Sequence, residues 1–171
     1  MPMRVELVKD VDDDLVGGLA EVLVDCVASG ASVGFVGVLA PDRARAWWRT
    51  ALADPNVLTW VSRDETSRIV GTVRLALATQ DNGQHRGEVV KLLVHRDARG
   101  KGCAGALLAA LEDTARSLGR RVLVLDTHTD SVAEGIYARR GWRRVGTVDD
   151  FALTVDGVLA PTTIMVKHLV A

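Results

Sequence analysis

Hydrophobic residues along the chain follow two spacings, one typical of helices and one typical of strands. Apolar residues recur every three or four positions over about 15–29, 41–54, 104–118 and 131–140, which predicts four helices. Runs of aliphatic and β-branched residues predict strands over about 3–9, 57–62, 69–78, 88–94, 121–126, 142–148 and 162–169. The pattern therefore favours a mixed α and β protein.

The order of these elements indicates how the sheet is connected. Strands 57–62 and 69–78 flank a short polar turn, which predicts an antiparallel hairpin. Strand 88–94, the helix after it and strand 121–126 form the one convincing parallel crossover. We therefore expect a single domain over residues 1–171 with an α/β fold of the α+β type. Its central sheet should be mixed and mostly antiparallel, with about six to seven strands flanked by about four helices.

The composition argues against several classes of function. The 171 residues carry 21 basic and 22 acidic side chains, so no general field attracts nucleic acid or an anionic membrane. Two cysteines do not make a disulfide framework, and no metal site is predicted. Neither a signal peptide nor an apolar 18-residue span is visible, so we expect a cytoplasmic protein. The oligomeric state stays open, a homodimer included.

The strongest chemical signal is a glycine-rich turn between strand 88–94 and the next helix. Gly100, Gly102 and Gly105 let the backbone approach a ligand closely, and the first N–H groups of the helix lack partners within it. Charged residues give the turn a local charge of +3 − 1 = +2: Arg96, Arg99, Lys101 and Asp97. The turn predicts a pyrophosphate cradle, although a loop end with a helix cap would use the same glycines.

A dinucleotide site is one interpretation of this turn. Gly100-x-Gly102-x-x-Gly105 matches the dinucleotide fingerprint, and Asp126 lies near the position of the ribose-binding acid. However, residues 95–99 separate the strand from the first glycine, and the chain offers one crossover where a dinucleotide domain needs several. This interpretation is therefore the weaker one.

Two other motifs point to an acyl-carrying cofactor. Residues 99–104 read Arg-x-x-Gly-x-Ala after a strand that ends in Leu92-x-Val94, and residues 133–142 read Ala-x-x-x-Tyr-x-x-x-Gly-Trp. Both resemble motifs of the GNAT acetyltransferase superfamily, in the order expected there. The resemblance implies an N-acetyltransferase that uses acetyl-CoA.

The same resemblance assigns residues to acetyl-CoA. It implies that a strand edge provides backbone partners for the pantetheine arm: Leu92, Leu93 and Val94. It implies that the turn holds the phosphates: Arg99, Gly100, Lys101, Gly102, Cys103, Ala104 and Gly105. Tyr137 would lie near the sulfur of coenzyme A. The family often has asparagine where this chain has Asp130, and Ser131 is the candidate replacement contact.

Five further segments resemble one group within the superfamily: 30–35, 88–92, 125–127, 131–134 and 161–162. That group is the tabtoxin-resistance acetyltransferases, which acetylate an antibiotic amino acid. The resemblance implies a small amine as acceptor and a role in resistance or detoxification.

Acetyl transfer to an amine needs a base, because an alkylamine of pKa about 10 is mostly protonated at pH 7. Glu88 and Asp126 are the candidate bases, since they lie on the two strands of the parallel pair, and His128 is a third. Tyr137 is the candidate acid for the leaving thiolate. The N–H of Leu93 or the next residue is the candidate oxyanion donor. No Cys-His pair is visible, so transfer should be direct.

Two other functions remain open at this stage. An enzyme that acetylates a protein or peptide amine would need a groove instead of a closed pocket. A non-catalytic acyl-CoA-binding module would keep the cradle while the acid and base do not operate. Activity on peptides but not on free amino acids would identify a protein or peptide acetyltransferase. Binding of acetyl-CoA without turnover of any amine would identify a non-catalytic module.

Overall fold

The computed structural model describes residues 3–170, which form four helices and seven strands. The elements in chain order are β1 (Arg4–Leu7), α1 (Asp13–Ala28), α2 (Pro41–Leu52), β2 (Val57–Arg63), β3 (Ile69–Leu77), β4 (Arg86–Val94), α3 (Cys103–Ser117), β5 (Val122–His128), α4 (Val132–Arg139), β6 (Arg143–Leu153) and β7 (Leu159–His168). Every predicted element is present. The largest difference is in β6, which continues to Leu153 instead of ending near Val148.

The strands form one sheet with the order β1-β2-β3-β4-β5-β7-β6. Only β4 and β5 run parallel, and every other neighbouring pair is antiparallel. The mixed, mostly antiparallel sheet and the four helices confirm the predicted fold class. The helix α3 provides the crossover between the two parallel strands.

Each face of the sheet carries its own hydrophobic core. On one face α1 and α2 pack around Leu19, Leu23 and Trp48, all of which are fully buried. On the other face α3 and α4 pack around residues that include Leu107 and Leu111. Because both faces are covered, β3 is buried along most of its length, as expected for a strand at the centre of a sheet.

A gap opens in the middle of the sheet between β4 and β5. These strands pair at three positions only, and the last pair is Glu88 with Val124. Opposite β3, the register of β4 shifts between Thr72 and Arg74, and Lys91 in the bulge has a φ of 53°. A bulge bends its strand, so β4 turns away from β5 beyond Glu88. The gap leaves one edge of β4 open to a ligand.

Candidate active site

The glycine-rich turn forms a concave row of backbone N–H groups. Gly100 and Gly102 have φ angles of 73° and 81°, and Gly102 is the N-cap of α3. Within residues 3–170, no N–H of residues 100–105 donates a hydrogen bond to another residue. A Cβ added to Gly100 or Gly102 would meet nothing within 4 Å. The turn therefore presents unpaired donors at the positive end of a helix, which suits an anion.

Two of the basic residues of the turn already contact a carboxylate, so they are less available to a ligand than the sequence suggests. The backbone N–H of Arg96 donates to Asp25 on α1 at 2.9 Å, and its guanidinium also contacts that carboxylate. Arg99 lies 3.9 Å from the same carboxylate and donates to the Val94 carbonyl at 3.0 Å. Asp25 thus offsets part of the local charge of +2. Lys101 is exposed at the mouth of the turn.

Arg140, at the end of α4, is a basic residue near the turn that sequence reasoning missed. A Cβ added to Gly105 would lie 3.3 Å from Nη1 of Arg140, so the guanidinium lies beside the first turn of α3. Its Nε is buried without a hydrogen-bond partner among the described residues. A cation beside a helix N-terminus is unfavourable unless an anion is also present. The only signal in the sequence was a basic pair before Gly141.

The open edge of β4 presents Val94 to the gap. The N–H of His95 donates to the carbonyl of Val70 at 2.8 Å, and Val94 lies opposite Gly71. Because backbone groups alternate along a strand, Leu93 faces β3 and Val94 faces away from it. Of the two predicted oxyanion donors, the N–H of Val94 is the one directed towards the gap.

Glu88 and Asp126 lie on the two strands that border the gap. Partial burial raises the pKa of Glu88, and the negative charge of Asp126 raises it further, although Glu88 as a whole residue is exposed. Asp126 accepts a hydrogen bond from Thr162 Oγ1 at 2.9 Å. The two predicted bases are therefore close enough to influence each other's charge, and Glu88 is shifted towards the pKa that a general base needs.

Tyr137 lies on α4 with its side chain only 6% exposed. Its ring packs edge-on against Trp142, with centroids 5.6 Å apart. Burial raises the pKa of the Tyr137 phenol well above its usual value, and the charge of Asp126 adds to the increase. The phenol is therefore protonated at neutral pH and can act as a hydrogen-bond donor or an acid.

The two cysteines and Ser131 have structural contacts of their own. Cys103 is buried against Gly71, where an added Cβ would lie 2.6 Å from Sγ. Burial raises the pKa of both the Cys26 and the Cys103 thiol, so neither is activated as a thiolate. Ser131 caps α4 by accepting from the N–H of Glu134 at 3.2 Å. Its proposed contact to the cofactor remains a prediction.

A recess adjoins Asp126. Residues of four segments line it: Ser32, Asp126, Thr127, His128, Phe151, Ala152, Ala160, Pro161 and Thr162. The loop between α1 and α2 also meets the turn between β6 and β7, where the N–H of Gly37 donates to the carbonyl of Val155 at 2.8 Å. Segments from both halves of the chain thus border Asp126 at the recess.

Comparison with known families agrees with this geometry. The model of the acetyltransferase (GNAT) family matches residues 23–142, which is well over half of the chain. The chain therefore belongs to the GNAT acetyltransferase family. Enzymes of this family take their acetyl group from acetyl-CoA, which is the cofactor of this chain.

Solved structures share the fold across almost the whole chain. A candidate phosphinothricin N-acetyltransferase superposes with a TM-score of 0.80 at 16% identity, covering 98% of this chain and 100% of that one. A GNAT superfamily phosphinothricin acetyltransferase from Sinorhizobium meliloti, in complex with acetyl-CoA, gives 0.77 at 20% identity, covering 96% and 88%. A ribosomal-protein-alanine N-acetyltransferase from Brucella melitensis gives 0.78 at 20% identity, covering 96% and 99%. At such identities the likeness shows the fold.

No helix within residues 3–170 is long and apolar enough to cross a membrane. Within the same range, no three His, Cys, Asp or Glu side chains are grouped so that they could hold a metal ion.

Proposed function

We propose that this chain transfers the acetyl group of acetyl-CoA directly to the amine of a small molecule, with an amino-acid-like antibiotic or toxin as the acceptor and resistance or detoxification as the role. One observation carries the proposal. Asp126 lies close enough to both Glu88 and Tyr137 for its charge to raise their pKa values, at the end of the sheet where β4 and β5 separate. A base and an acid therefore meet at the place where the family binds its donor.

The residues of this chain fit acetyl-CoA. The unpaired N–H groups of residues 100–105 suit the pyrophosphate, with Lys101 and Arg140 as the nearby cations. The N–H of Val94 is available to the pantetheine arm or to the acetyl oxygen. When bound, acetyl-CoA supplies an acetyl group activated as a thioester. Arg99 contributes by fixing the Val94 carbonyl at the entrance to the turn.

Proton transfer falls to the three ionisable groups at the gap. Glu88 accepts the proton of the acceptor ammonium, directly or through water, because its raised pKa makes it a stronger base than an ordinary carboxylate. Asp126, held by Thr162, attracts the ammonium as a counter-ion. Tyr137 Oη holds the proton that the departing thiolate requires.

Direct transfer through a ternary complex fits the state of the thiols. A covalent route needs an activated nucleophile, and both cysteines are buried with raised pKa values. Neither thiol is paired with a histidine among the described hydrogen bonds. The acceptor amine is therefore the nucleophile.

A small acceptor fits the recess beside Asp126 better than a peptide does. The contact between Gly37 and Val155 joins the loop that contains Ser32 to the turn that follows Phe151 and Ala152, and these three residues line the recess beside Asp126. Two of the structural neighbours described above are phosphinothricin acetyltransferases, one of them a candidate. The neighbour that acts on a ribosomal protein alanine supports testing the peptide alternative.

Calorimetric titration of the protein with acetyl-CoA, with NADH as the matched control, tests the donor. We expect binding of acetyl-CoA and none of NADH, and NADH binding alone would mean that the turn is a dinucleotide site. Release of the coenzyme A thiol is then measured with phosphinothricin, free amino acids and peptides. Turnover of peptides only would replace the small-molecule acceptor, and binding without turnover of any amine would indicate a non-catalytic module.

A further inference from the structure

Lys91 lies on β4 where that strand borders the gap, and its backbone is unusual. It occupies the bulge of β4 opposite β3, with a φ of 53°. A non-glycine residue in the left-handed region costs about 1 kcal/mol or more. A bulge re-aims the side chain of its extra residue, and bulges are concentrated next to active sites. The bulge therefore sets the direction of the Lys91 side chain.

The Lys91 side chain extends towards α2 and the loop between α1 and α2. Lys91 Nζ lies 5.3 Å from the ring centroid of Trp47, and a Cβ added to Gly34 would lie 3.8 Å from the same Nζ. Ser32 of this loop also lines the recess beside Asp126. Lys91 is half-buried, and among residues 3–170 its ammonium forms neither a hydrogen bond nor an ion pair. Its three donors are therefore free to bind a ligand beside Trp47 and Gly34.

Arg74, a second cation in the same region, differs from Lys91 because its guanidinium donates hydrogen bonds to other residues. Its Nε donates to Thr59 Oγ1 at 3.0 Å, its Nη2 donates to the Ala51 carbonyl, and the guanidinium packs over Trp48. Burial lowers the pKa of Lys91, and the charge of Arg74 lowers it further, whereas Asp126 and Glu88 raise it. Two cations thus lie in the same region, and of the two, Lys91 is the one whose charged group has no hydrogen-bond partner among residues 3–170.

We propose that Lys91 binds an oxyanion of the acceptor, so that the preferred substrates are amines that also carry a carboxylate or a similar acidic group. This inference rests on the proposed function and narrows its substrate class. Glu88 and Asp126 attract the amine of such a zwitterion, while Lys91, held over the ring of Trp47, receives its acidic end. A lysine and two carboxylates in one cleft match both charges of an amino acid.

The competing explanation is that Lys91 only balances the charges of Glu88 and Asp126. In that case removal of Lys91 would alter the base and would affect every amine alike. If Lys91 binds the acceptor's acid, its removal affects acidic acceptors alone. Comparison of paired acceptors therefore separates the two roles.

The experiment measures kcat/KM on pairs of free amino acids and their α-amides, which differ in the carboxylate. The enzymes are the wild type, Lys91→Met, Lys91→Arg and the control Lys9→Met, which removes an exposed lysine after β1. We expect Lys91→Met to lower kcat/KM about 10- to 100-fold for the acids, the effect of one charge-assisted hydrogen bond, and less than about threefold for the amides. Lys91→Arg should retain most of the preference for acids.

Calorimetry with acetyl-CoA confirms that each variant is folded, because Lys91 is outside the phosphate cradle. Equal losses on acids and amides, or no loss on either, would overturn the role of Lys91 while leaving acetyl transfer intact. If the wild type acetylates no amine of either kind, the proposed function fails and takes this inference with it. A higher wild-type kcat/KM for the amides than for the acids would also contradict the proposal.

Discussion

Tyr137 combines packing and chemistry in a single side chain. Its ring belongs to the core beside Trp142, and its hydroxyl lies within the influence of Asp126. The phenol is protonated at neutral pH and can donate a hydrogen bond to a leaving thiolate, and its raised pKa makes full proton transfer dependent on the charge that develops on the sulfur. The ring and the hydroxyl can therefore be tested separately.

Tyr137→Phe should keep the packing and remove the acid. We expect kcat to fall about 10²-fold, in the lower part of the range for a general acid, while the dissociation constant for acetyl-CoA changes less than about twofold. Steady-state kinetics and calorimetry measure these quantities. An unchanged kcat would remove Tyr137 from the mechanism.

Glu88 and Asp126 influence each other, and this coupling has a signature in the pH profile. A base must be deprotonated, so kcat/KM should fall as pH decreases through the pKa of Glu88. Because that pKa is raised, first by burial and then by Asp126, the fall should occur above the usual range for glutamate. Asp126→Asn removes the charge that raises the Glu88 pKa and should move the decrease in kcat/KM to lower pH. Glu88→Gln should abolish this pH dependence and lower kcat/KM about 10²-fold. Profiles that are the same in all three enzymes would reject the carboxylates as bases.

Arg140 offers a test of the phosphate cradle with a neighbouring control. Arg140→Met should weaken binding of acetyl-CoA about tenfold or more, because a cation beside the first turn of α3 is lost. Binding of S-acetylpantetheine, which lacks the phosphates, should be unaffected. Arg139→Met, one residue earlier on α4, is the control and should bind as the wild type does. Equal losses for both ligands would place Arg140 outside the cradle.

At the scale of elements, the position of the cradle depends on how α3 packs against β3. Cys103, the first residue of α3, lies directly over Gly71 of β3, where there is no room for a side chain. Asp25 of α1 holds the other side of the turn through Arg96. The turn is thus fixed from both faces of the sheet.

Gly71→Ala should therefore disturb this packing. The new Cβ would lie 2.6 Å from Cys103 Sγ and 3.3 Å from the Leu93 carbonyl, so we expect a loss of about 1–3 kcal/mol in the free energy of unfolding. Gly146→Ala, at a strand position where an added Cβ meets nothing within 4 Å, is the control. Denaturant unfolding measures both. Cys103→Ala should rescue part of the loss in the double variant, and strict additivity would show that the two positions are not coupled.

At the scale of the whole molecule, the site exists because the sheet is divided. Antiparallel pairing holds β1 to β4 as one half and β5 to β7 as the other, and three parallel pairs join them. The proposed acetyl-CoA site would use the turn and edge of the first half together with Asp126, Tyr137 and Arg140 of the second. Binding should therefore stabilise the contact between the halves.

Acetyl-CoA should raise the thermal unfolding midpoint of the whole protein. At a concentration of about 100 times Kd, a ligand that binds only the folded state contributes about 2.7 kcal/mol, which corresponds to an increase of roughly 5–10 °C for a domain of this size. Differential scanning calorimetry measures the shift. NADH should give none, and S-acetylpantetheine should give less at the same concentration. Equal shifts with all three ligands would contradict a specific cradle.

Much of the fold could be predicted because its signals are local. Helical spacing in α1 and α3, the polar turn between β2 and β3, and the glycines around α3 each reside within about 20 residues of sequence. The sequence also pointed to Glu88, Asp126 and Tyr137, through two motifs and the expected crossover. The roles of these residues and of the cradle in binding and catalysis remain predictions for the experiments above.

The sequence by itself determined the elements, the fold class and the family resemblance, because apolar periodicity and glycine placement act between near neighbours. Only the tertiary structure decided which groups are free to act. Asp25 neutralises part of the turn from 71 residues away, Arg140 reaches the start of α3, and the bulge aims Lys91 at Trp47. Charge compensation, burial and pKa depend on distances through space, and side chains that are far apart in the chain set those distances only when the sheet has formed.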